Sequence, residues 1–312
     1  MEKIHSLNRS ISDRITLYWG DVSTLAAEYF VQAEDARVTI LAAALSGPFC
    51  VASHPLPARY PLKSVGEEKP QVFTGVLPDP CFWTPGSPFT YKLELNLRES
   101  ITAAKWSESL LVGIRPLGIR NTDLYLADRR YVMRVIEMPP EVKGATAEKD
   151  ILEFCLQSGS VLLLCDPDQS LLAEATRQGV MLAVRIESVD PARVVAELNQ
   201  LACWPAVGMV ILATELALET PLPSPATSLL RAIACRPSRP VPPWAQVFIV
   251  EESFLGDVSL KSEKRPQMVC CRVGPAEVSI KAARQACDDL QRRTAAQPQI
   301  AGYIASSQNE LY

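Results

Sequence analysis

The stretch VGIRPLGIRNTDLYLADRRYVMRVIEM, residues 112–138, decides how this chain of 312 residues is organised. Its first half is typical of the end of an all-β module. Its second half is typical of the first strand of an α/β module, in which strands and helices alternate. Since one continuous piece of chain belongs to both patterns, we expect two architectures that meet here, with a boundary at residue 122.

Before this stretch, short strand patterns are separated by proline and glycine. The clearest is Phe89–Leu97, in which apolar residues alternate with polar ones, as in an antiparallel strand that is buried on one face. Ile15–Trp19 and Val38–Ala42 are rich in β-branched and aromatic residues, and Ser46–Pro48 is expected to end the second of these strands. Residues 1–122 are therefore predicted to form a β-sandwich.

After Pro140 the pattern changes to apolar strands separated by helices, which is typical of a parallel sheet covered by helices. Helices are predicted at 150–156, 169–178, 191–202, 228–234 and 279–293, and strands at 131–136, 160–165, 180–186, 208–213, 246–250, 267–272 and 300–304. Seven strands in roughly 190 residues fall short of the eight strands and about 250 residues of a typical (β/α)₈ barrel. We therefore expect a small or incomplete TIM-type barrel over residues 123–312. The alternative is a doubly wound open sheet, but the sequence has no glycine-rich turn with which such a sheet would bind a nucleotide.

Composition and charge exclude several classes of protein. Apolar residues make up 48% of the chain, and neither a membrane-spanning run nor a signal-peptide core occurs, so a cytoplasmic protein with no membrane partner is expected. The net charge of −4 is small and the signs are interspersed, so no nucleic-acid partner is expected. Nine cysteines without C-x-x-C spacing indicate reduced, mostly buried thiols, and with only His5 and His54 no metal site is expected. The sequence indicates no cofactor and does not determine an oligomeric state.

Three stretches resemble glycoside hydrolase family 2, the β-galactosidase and β-glucuronidase group. Residues 113–135 resemble the junction between sandwich and barrel, Trp83–Tyr91 resembles a proline-rich Trp-Ser-Pro motif, and Trp204–Glu215 resembles the fourth barrel strand. The resemblance implies an immunoglobulin-like sandwich, a TIM barrel, and hydrolysis of O-glycosidic bonds in a carbohydrate ligand. The Trp-Ser-Pro-like loop is expected to pack its tryptophan on the sandwich, and the alternative is a contact of the loop with a sugar. Two positions depart from the family pattern: Ala127-Asp128 replaces an Asn-Gly turn, and Pro139-Pro140 replaces a His or Asn.

The fourth strand carries the candidate for catalysis. The resemblance places Glu215 at the position of the family's general acid/base, a role that needs a carboxyl group whose pKa is raised by burial beside a second carboxylate. Thr214 stands where the family has an asparagine. Functional groups of a barrel lie at the carboxyl ends of its strands. The candidate substrate contacts at these ends are Thr214, Asp166, Glu187, Glu251 and Glu252, and Glu137 and Arg272 end two further predicted strands.

The resemblance also indicates a missing partner for Glu215. In the family the nucleophile is a glutamate at the end of the seventh strand, whereas the seventh strand predicted here ends at Tyr303–Ser307 without a carboxylate. Glu251 or Glu252 is expected to be the acidic residue nearest to Glu215. The sugar-binding domain that precedes the sandwich in the family has no counterpart in this sequence. We therefore expect a truncated or degenerate relative with weakened or lost activity, or alternatively a non-catalytic carbohydrate-binding or protein-interaction module on the same scaffold.

Overall fold

The computed structural model describes residues 15–33, 35, 37–66, 71–138, 145–216, 229–236, 240–255, 264–273, 279–297 and 299–306. The part before the junction is built from antiparallel strands. They are β1 (Ile15–Val22), β2 (Ala26–Ala33), β3 (Val38–Phe49), β4 (Ala58–Val65), β5 (Val72–Pro78), β6 (Trp83–Thr84), β7 (Ser87–Pro88), β8 (Thr90–Glu99) and β9 (Lys105–Val112). β6 and β7 form a small hairpin of their own.

The other seven strands form one sheet in the order β1-β2-β5-β4-β3-β8-β9. β4 joins two leaves, because its first half pairs with β3 and its second half pairs with β5. Alternate residues of both leaves, such as Tyr29 and Val31 on β2 and Leu93 and Leu95 on β8, belong to a single buried cluster. The predicted antiparallel sandwich is therefore confirmed.

One predicted strand end is wrong. Ser46–Pro48 does not terminate its strand, because β3 continues to Phe49, where pairing with β8 resumes opposite Thr90 after an irregularity. Proline is tolerated in a strand at such a bulge, where its missing N–H removes no ladder hydrogen bond.

A three-stranded sheet forms the junction: β10 (Leu117–Arg120), β11 (Asp123–Leu126) and β12 (Arg129–Arg130). The two-residue loop between β11 and β12 consists of Ala127 and Asp128, with φ of 48° and 63°. Two positive φ angles are what a type I′ hairpin turn requires. The turn geometry of an Asn-Gly loop is thus kept by two residues that adopt it less readily. The boundary proposed at residue 122 falls between β10 and β11, and it stays a prediction.

The second part is a closed barrel of eight parallel strands. The strands are β13 (Met133–Glu137), β14 (Val161–Cys165), β15 (Leu182–Ile186), β16 (Val207–Leu212), β17 (Leu230–Ala234), β18 (Val247–Glu251), β19 (Gln267–Arg272) and β20 (Ile300–Ser306). The described helices are α1 (Ala145–Ser158), α2 (Gln169–Gln178), α3 (Pro191–Ala202) and α4 (Ile280–Thr294), with a 3₁₀ turn at Glu252–Phe254. None of these helices is long and apolar enough to cross a membrane.

The predicted helix at 228–234 is wrong, and this error changes the strand count. Leu230–Ala234 is strand β17, which pairs in parallel with β16 on one side and β18 on the other. A short apolar run fits a buried strand and a helix equally well, so its periodicity cannot distinguish them. With β17 included the barrel closes, and Ile300–Ser306 is the eighth strand instead of the seventh.

Residues of the Trp-Ser-Pro-like loop, Trp83–Tyr91, and of the junction hold the sandwich and the barrel together. The predicted packing of Trp83 on the sandwich is wrong: its side chain is fully buried within the barrel's apolar cluster, and its Nε1 donates to the Thr176 main-chain oxygen at 2.9 Å. Gly179, with φ of 82°, ends α2, and a Cβ there would lie 3.1 Å from the Gly86 nitrogen. Arg115 donates to the Pro205 oxygen at 2.9 Å. Trp83 and Gly86 of the loop therefore contact the end of α2, and Arg115 of the junction adds a contact just before β16.

Candidate functional site

The carboxyl ends of the barrel strands carry a buried polar cluster. Glu137 ends β13 and Arg185 lies on β15, and β14 separates these strands in the barrel order, so their side chains meet across the barrel interior. Arg185 donates to Glu137 Oε1 at 3.4 Å, and Ser306 of β20 donates to Glu137 Oε2 at 2.7 Å. The side chains of Arg185 and Glu137 are only 8% and 5% exposed. Two opposite charges are thus buried together at the barrel mouth.

Arg185 also connects this cluster to two residues at its edge. It donates to Cys165 Sγ at 2.9 Å, and its Nε lies 3.7 Å from Glu187 Oε1. Glu187, a predicted substrate contact, is 76% exposed at the end of β15. Burial raises the pKa of the Cys165 thiol, although the nearby guanidinium of Arg185 acts in the opposite direction.

Two further predicted carboxylates lie beside arginines. Glu251, at the end of β18, has its Oε1 3.7 Å from Arg272 Nε at the end of β19. Glu252 accepts two hydrogen bonds, at 2.7 and 2.8 Å, from Arg293 on α4. These hydrogen bonds lower the pKa of Glu252. Arg293 therefore holds Glu252 at the outer helix and favours its ionised form.

The candidate acid/base lies beyond the end of the fourth strand. Glu215 follows β16 by three residues and is exposed, whereas Thr214 is half-buried. Thr214 Oγ1 donates to Glu215 Oε1 at 2.7 Å. Two residues of the predicted site are therefore in direct contact.

The seventh strand end differs from the predicted one. Because Ile300–Ser306 is the eighth strand, the seventh is β19, whose end is formed by Arg272 and Val273. Residues 274–278 and Ser307 lie outside the described residues. Within the described part of the chain, the end of the seventh strand thus carries a guanidinium group and no carboxylate.

A cavity of about 930 Å³ adjoins the second and third strand ends. Its walls come from the loop after β14, from β15, from one face of α3, and from the sandwich strands β1 and β9. Asp166, a predicted substrate contact, lines it with a φ of 49°, in the left-handed region that few residues other than glycine, asparagine and aspartate adopt. Cys165 and Arg185 line the same cavity, so it extends to the edge of the buried cluster.

The cysteines are free, and fewer are buried than predicted. All nine are unpaired with one another, four are buried, four are partly buried, and Cys165 is exposed. Burial raises the pKa of Cys155 and Cys287 to about 12. No group of three or more potential metal ligands occurs among the described residues.

The sequence has no match among family models, and no curated protein matches it. Solved structures match over 94% of the chain: a calcium-binding mutant of Bacteroides uniformis β-glucuronidase 2, with 14% identity and a TM-score of 0.64, and Parabacteroides merdae β-glucuronidase, with 11% identity and a TM-score of 0.63. Lactobacillus rhamnosus β-glucuronidase matches over the same share, with 11% identity and a TM-score of 0.61. The chain has the fold of the family 2 β-glucuronidases.

The likeness is one of fold, and it covers part of each neighbour. This chain corresponds to 45% of the Bacteroides uniformis structure, 46% of the Parabacteroides merdae structure and 60% of the Lactobacillus rhamnosus structure, so it spans about half their length. The β-glucuronidase fold here therefore consists of the sandwich and the barrel described above.

Arg185 is a residue of the barrel mouth that the resemblance and the strand-end pattern do not single out. It lies within a predicted apolar strand and is the only charged residue between Val180 and Ile186. A buried charge is stable only when it is paired and hydrogen-bonded. A lone arginine within an apolar strand is thus a signal for a buried partner, which the structure identifies as Glu137.

Proposed function

We propose that this chain is a glycoside hydrolase-like protein in which hydrolysis of O-glycosidic bonds is weakened or lost and carbohydrate binding is retained. The proposal rests mainly on the end of the seventh strand. The resemblance to family 2 implies a nucleophilic glutamate at this position. The described residues there are instead Arg272 and Val273. Retaining hydrolysis needs two carboxyl groups about 5–5.5 Å apart, one of which attacks the anomeric carbon.

The ion pairs at the barrel mouth support the same proposal. A general acid must hold a proton at neutral pH, which requires a raised pKa. The pKa of Glu252 is instead lowered by Arg293, and Glu137 and Glu251 lie within 4 Å of Arg185 and Arg272. Each of these three carboxylates forms an ion pair with an arginine. We therefore propose Glu215 as the remnant of the acid/base.

Turnover of aryl β-glycosides tests the catalytic part of the proposal. We expect release of p-nitrophenol from the β-glucuronide, β-galactoside and β-glucoside to equal the rate in buffer, and Glu215→Gln to change nothing. Bacteroides uniformis β-glucuronidase 2 serves as the active control, and Glu28→Gln in the sandwich as the matched variant. Turnover that Glu215→Gln abolishes and Glu28→Gln preserves would overturn the proposal.

Ligand-observed NMR tests the binding part. Methyl β-D-glucuronide and methyl β-D-galactoside are offered at millimolar concentration, and we expect saturation transfer from the protein to at least one of them. Thr214→Val and Glu251→Gln should reduce that transfer, since these residues are proposed substrate contacts outside the cavity lining. No transfer to either glycoside would favour the alternative of a protein-interaction module on the same scaffold.

A further inference from the structure

The cavity beside the second and third strand ends combines an aliphatic wall with an acidic end. Seven aliphatic side chains line it, including Leu172 on α2 and Leu201 on α3. The outward residues Val184 and Ile186 of β15 also belong to this group. Ligand pockets of about 300–1,000 Å³ with mostly apolar walls and a few placed polar groups are typical of small-molecule sites. The volume of about 930 Å³ falls in this range.

The sandwich contributes part of the cavity lining. Ile15 and Leu17 come from β1 and Leu110 from β9, and these two strands are the opposite ends of the seven-stranded sheet. Both edge strands of the sheet therefore add aliphatic side chains to the cavity that α3 also lines. This wall cannot bind a hydroxyl-rich ligand well, because it offers no hydrogen-bonding side chain.

The cavity lining carries more carboxylates than guanidinium groups. Four carboxylates, from Asp166, Asp168, Glu187 and Glu197, stand against two guanidinium groups, from Arg185 and Arg193, so the lining has a net charge of −2. Both guanidinium groups are paired: Arg193 with Glu197 at 2.9 Å, and Arg185 with the buried Glu137 and, at 3.7 Å, with Glu187.

Asp166 and Asp168 are the two lining carboxylates outside these pairs, and both lie in the loop after β14 at the barrel end of the cavity. Asp168 accepts from the Leu171 nitrogen and caps α2, whereas the Asp166 side chain has no hydrogen bond or ion pair within the described residues. Glu187 also lines the cavity, at the end of the adjacent strand β15, and its side chain is 76% exposed. A cation near Asp166 and Glu187 would gain charge complementarity that an anion or a neutral group would not.

We propose that this cavity binds a small amphipathic cation, whose apolar body lies along the aliphatic wall and whose ammonium or guanidinium group meets Asp166 and Glu187. The proposal gives Asp166 and Glu187, two of the predicted substrate contacts, to a cation, whereas Thr214, Glu215, Glu251 and Glu252 do not line the cavity. The proposed ligand carries one positive charge and one apolar group. Compounds with the same apolar group and a different charge therefore test the proposal directly.

The test compares 4-phenylbutylamine, 4-phenylbutanol and 4-phenylbutyrate by titration calorimetry or protein-observed NMR. We expect the amine to bind at least about tenfold more tightly than the alcohol, which corresponds to about 1.4 kcal/mol, and the carboxylate not to bind. Binding of the amine should weaken as ionic strength rises, because salt screens partly exposed charges. Equal affinity for the three compounds, or no binding of the amine, would overturn the proposal.

Matched variants locate the binding event. Asp166→Asn keeps a residue that tolerates the left-handed backbone and should weaken amine binding five- to tenfold, whereas Asp79→Asn, at a φ of 44° in the sandwich, should leave it unchanged. Gln169→Trp should fill the cavity from the first turn of α2 and abolish binding, and Ser170→Trp, on an exposed residue outside the lining, should not. Amine binding that survives both Asp166→Asn and Gln169→Trp would place the cation elsewhere and contradict the assignment. Preferential binding of cellobiose that Gln169→Trp abolishes would equally contradict it.

Discussion

The indole Nε1 of Trp83 donates a 2.9 Å hydrogen bond to the main-chain oxygen of Thr176, in the last turn of α2. The last carbonyl groups of a helix have no partner within the helix. The N–H groups of Gly179 and Val180 both donate to Ala175, so the Thr176 oxygen is satisfied by the sandwich residue. Trp83 thus caps a barrel helix from outside the barrel and fills part of its apolar core.

We predict that Trp83→Phe destabilises the protein by about 2–4 kcal/mol, because it leaves a cavity and removes the hydrogen bond to a buried carbonyl. Urea denaturation monitored by far-ultraviolet circular dichroism measures the change in the free energy of unfolding. Trp106→Phe, at a half-buried position on β9, is the control and should cost less than about 1 kcal/mol. Equal losses of unfolding free energy in the two variants would show that the Trp83 contact does not specifically stabilise the interface between sandwich and barrel.

The Glu137–Arg185 pair is expected to be strongly coupled. Removing one member of a buried ion pair costs about 3–5 kcal/mol, since the other charge stays buried without compensation. We therefore predict that Glu137→Gln and Arg185→Met are each destabilising and that the double variant is less destabilised than the sum of the two. A double-mutant cycle of unfolding free energies gives the coupling. Additive effects would mean that the two side chains do not depend on each other.

The turn at Ala127-Asp128 offers a stabilising substitution. A residue other than glycine, asparagine or aspartate in the left-handed region costs roughly 1–2 kcal/mol. Ala127, with φ of 48°, is such a residue, so Ala127→Asn should raise the melting temperature and stabilise the protein by about 1 kcal/mol. Ala295→Asn, at an exposed position with φ of −55°, is the control and should bring no gain. A loss of stability in Ala127→Asn would contradict the assigned turn.

The ion pair between Glu252 and Arg293 predicts a dependence of stability on pH. Because Arg293 lowers the pKa of Glu252 below its ordinary value of 4.5, the pair stabilises the folded state above that pH. The contribution is lost as pH falls through the lowered pKa of the folded state. Wild type and Glu252→Gln should therefore differ in unfolding free energy at pH 7 and converge below pH 4.5. A difference that persists unchanged in acid would show that the pair is not the cause.

The sequence predicts most of the fold, because its hydrophobic periodicity is clear. The bounds of α2 and α3 agree with the prediction to the residue, since Asp168 and Asp190 cap their N-termini and Gly179 ends α2. Strand β17 could not be recognised, because the short apolar run at Leu230–Ala234 carries no period of its own and is defined by its two neighbouring strands.

The candidate site is less predictable than the fold, because its geometry depends on contacts that are distant in sequence. Thr214 and Glu215 are neighbours in the chain, so their contact follows from the sequence. Arg185 and Glu137 are 48 residues apart, and Glu252 and Arg293 are 41 apart, so only the closed barrel and its outer helix bring each pair together. Sequence patterns identify strand ends, but they do not reveal which arginine each carboxylate meets.

The central proposal is that the chain lacks the nucleophilic carboxylate of retaining hydrolysis, as the described end of the seventh strand indicates, and covalent trapping tests it most directly. The structure of Bacteroides uniformis β-glucuronidase 2 covalently bound to cyclophellitol-6-carboxylate aziridine provides both the reagent and the positive control. After incubation of this protein with the aziridine, and with activated 2-deoxy-2-fluoro-β-glycosides, intact mass spectrometry should find only the unmodified mass, while the control enzyme is labelled. A stoichiometric adduct that maps to an aspartate or glutamate of the barrel and competes with substrate would contradict the account.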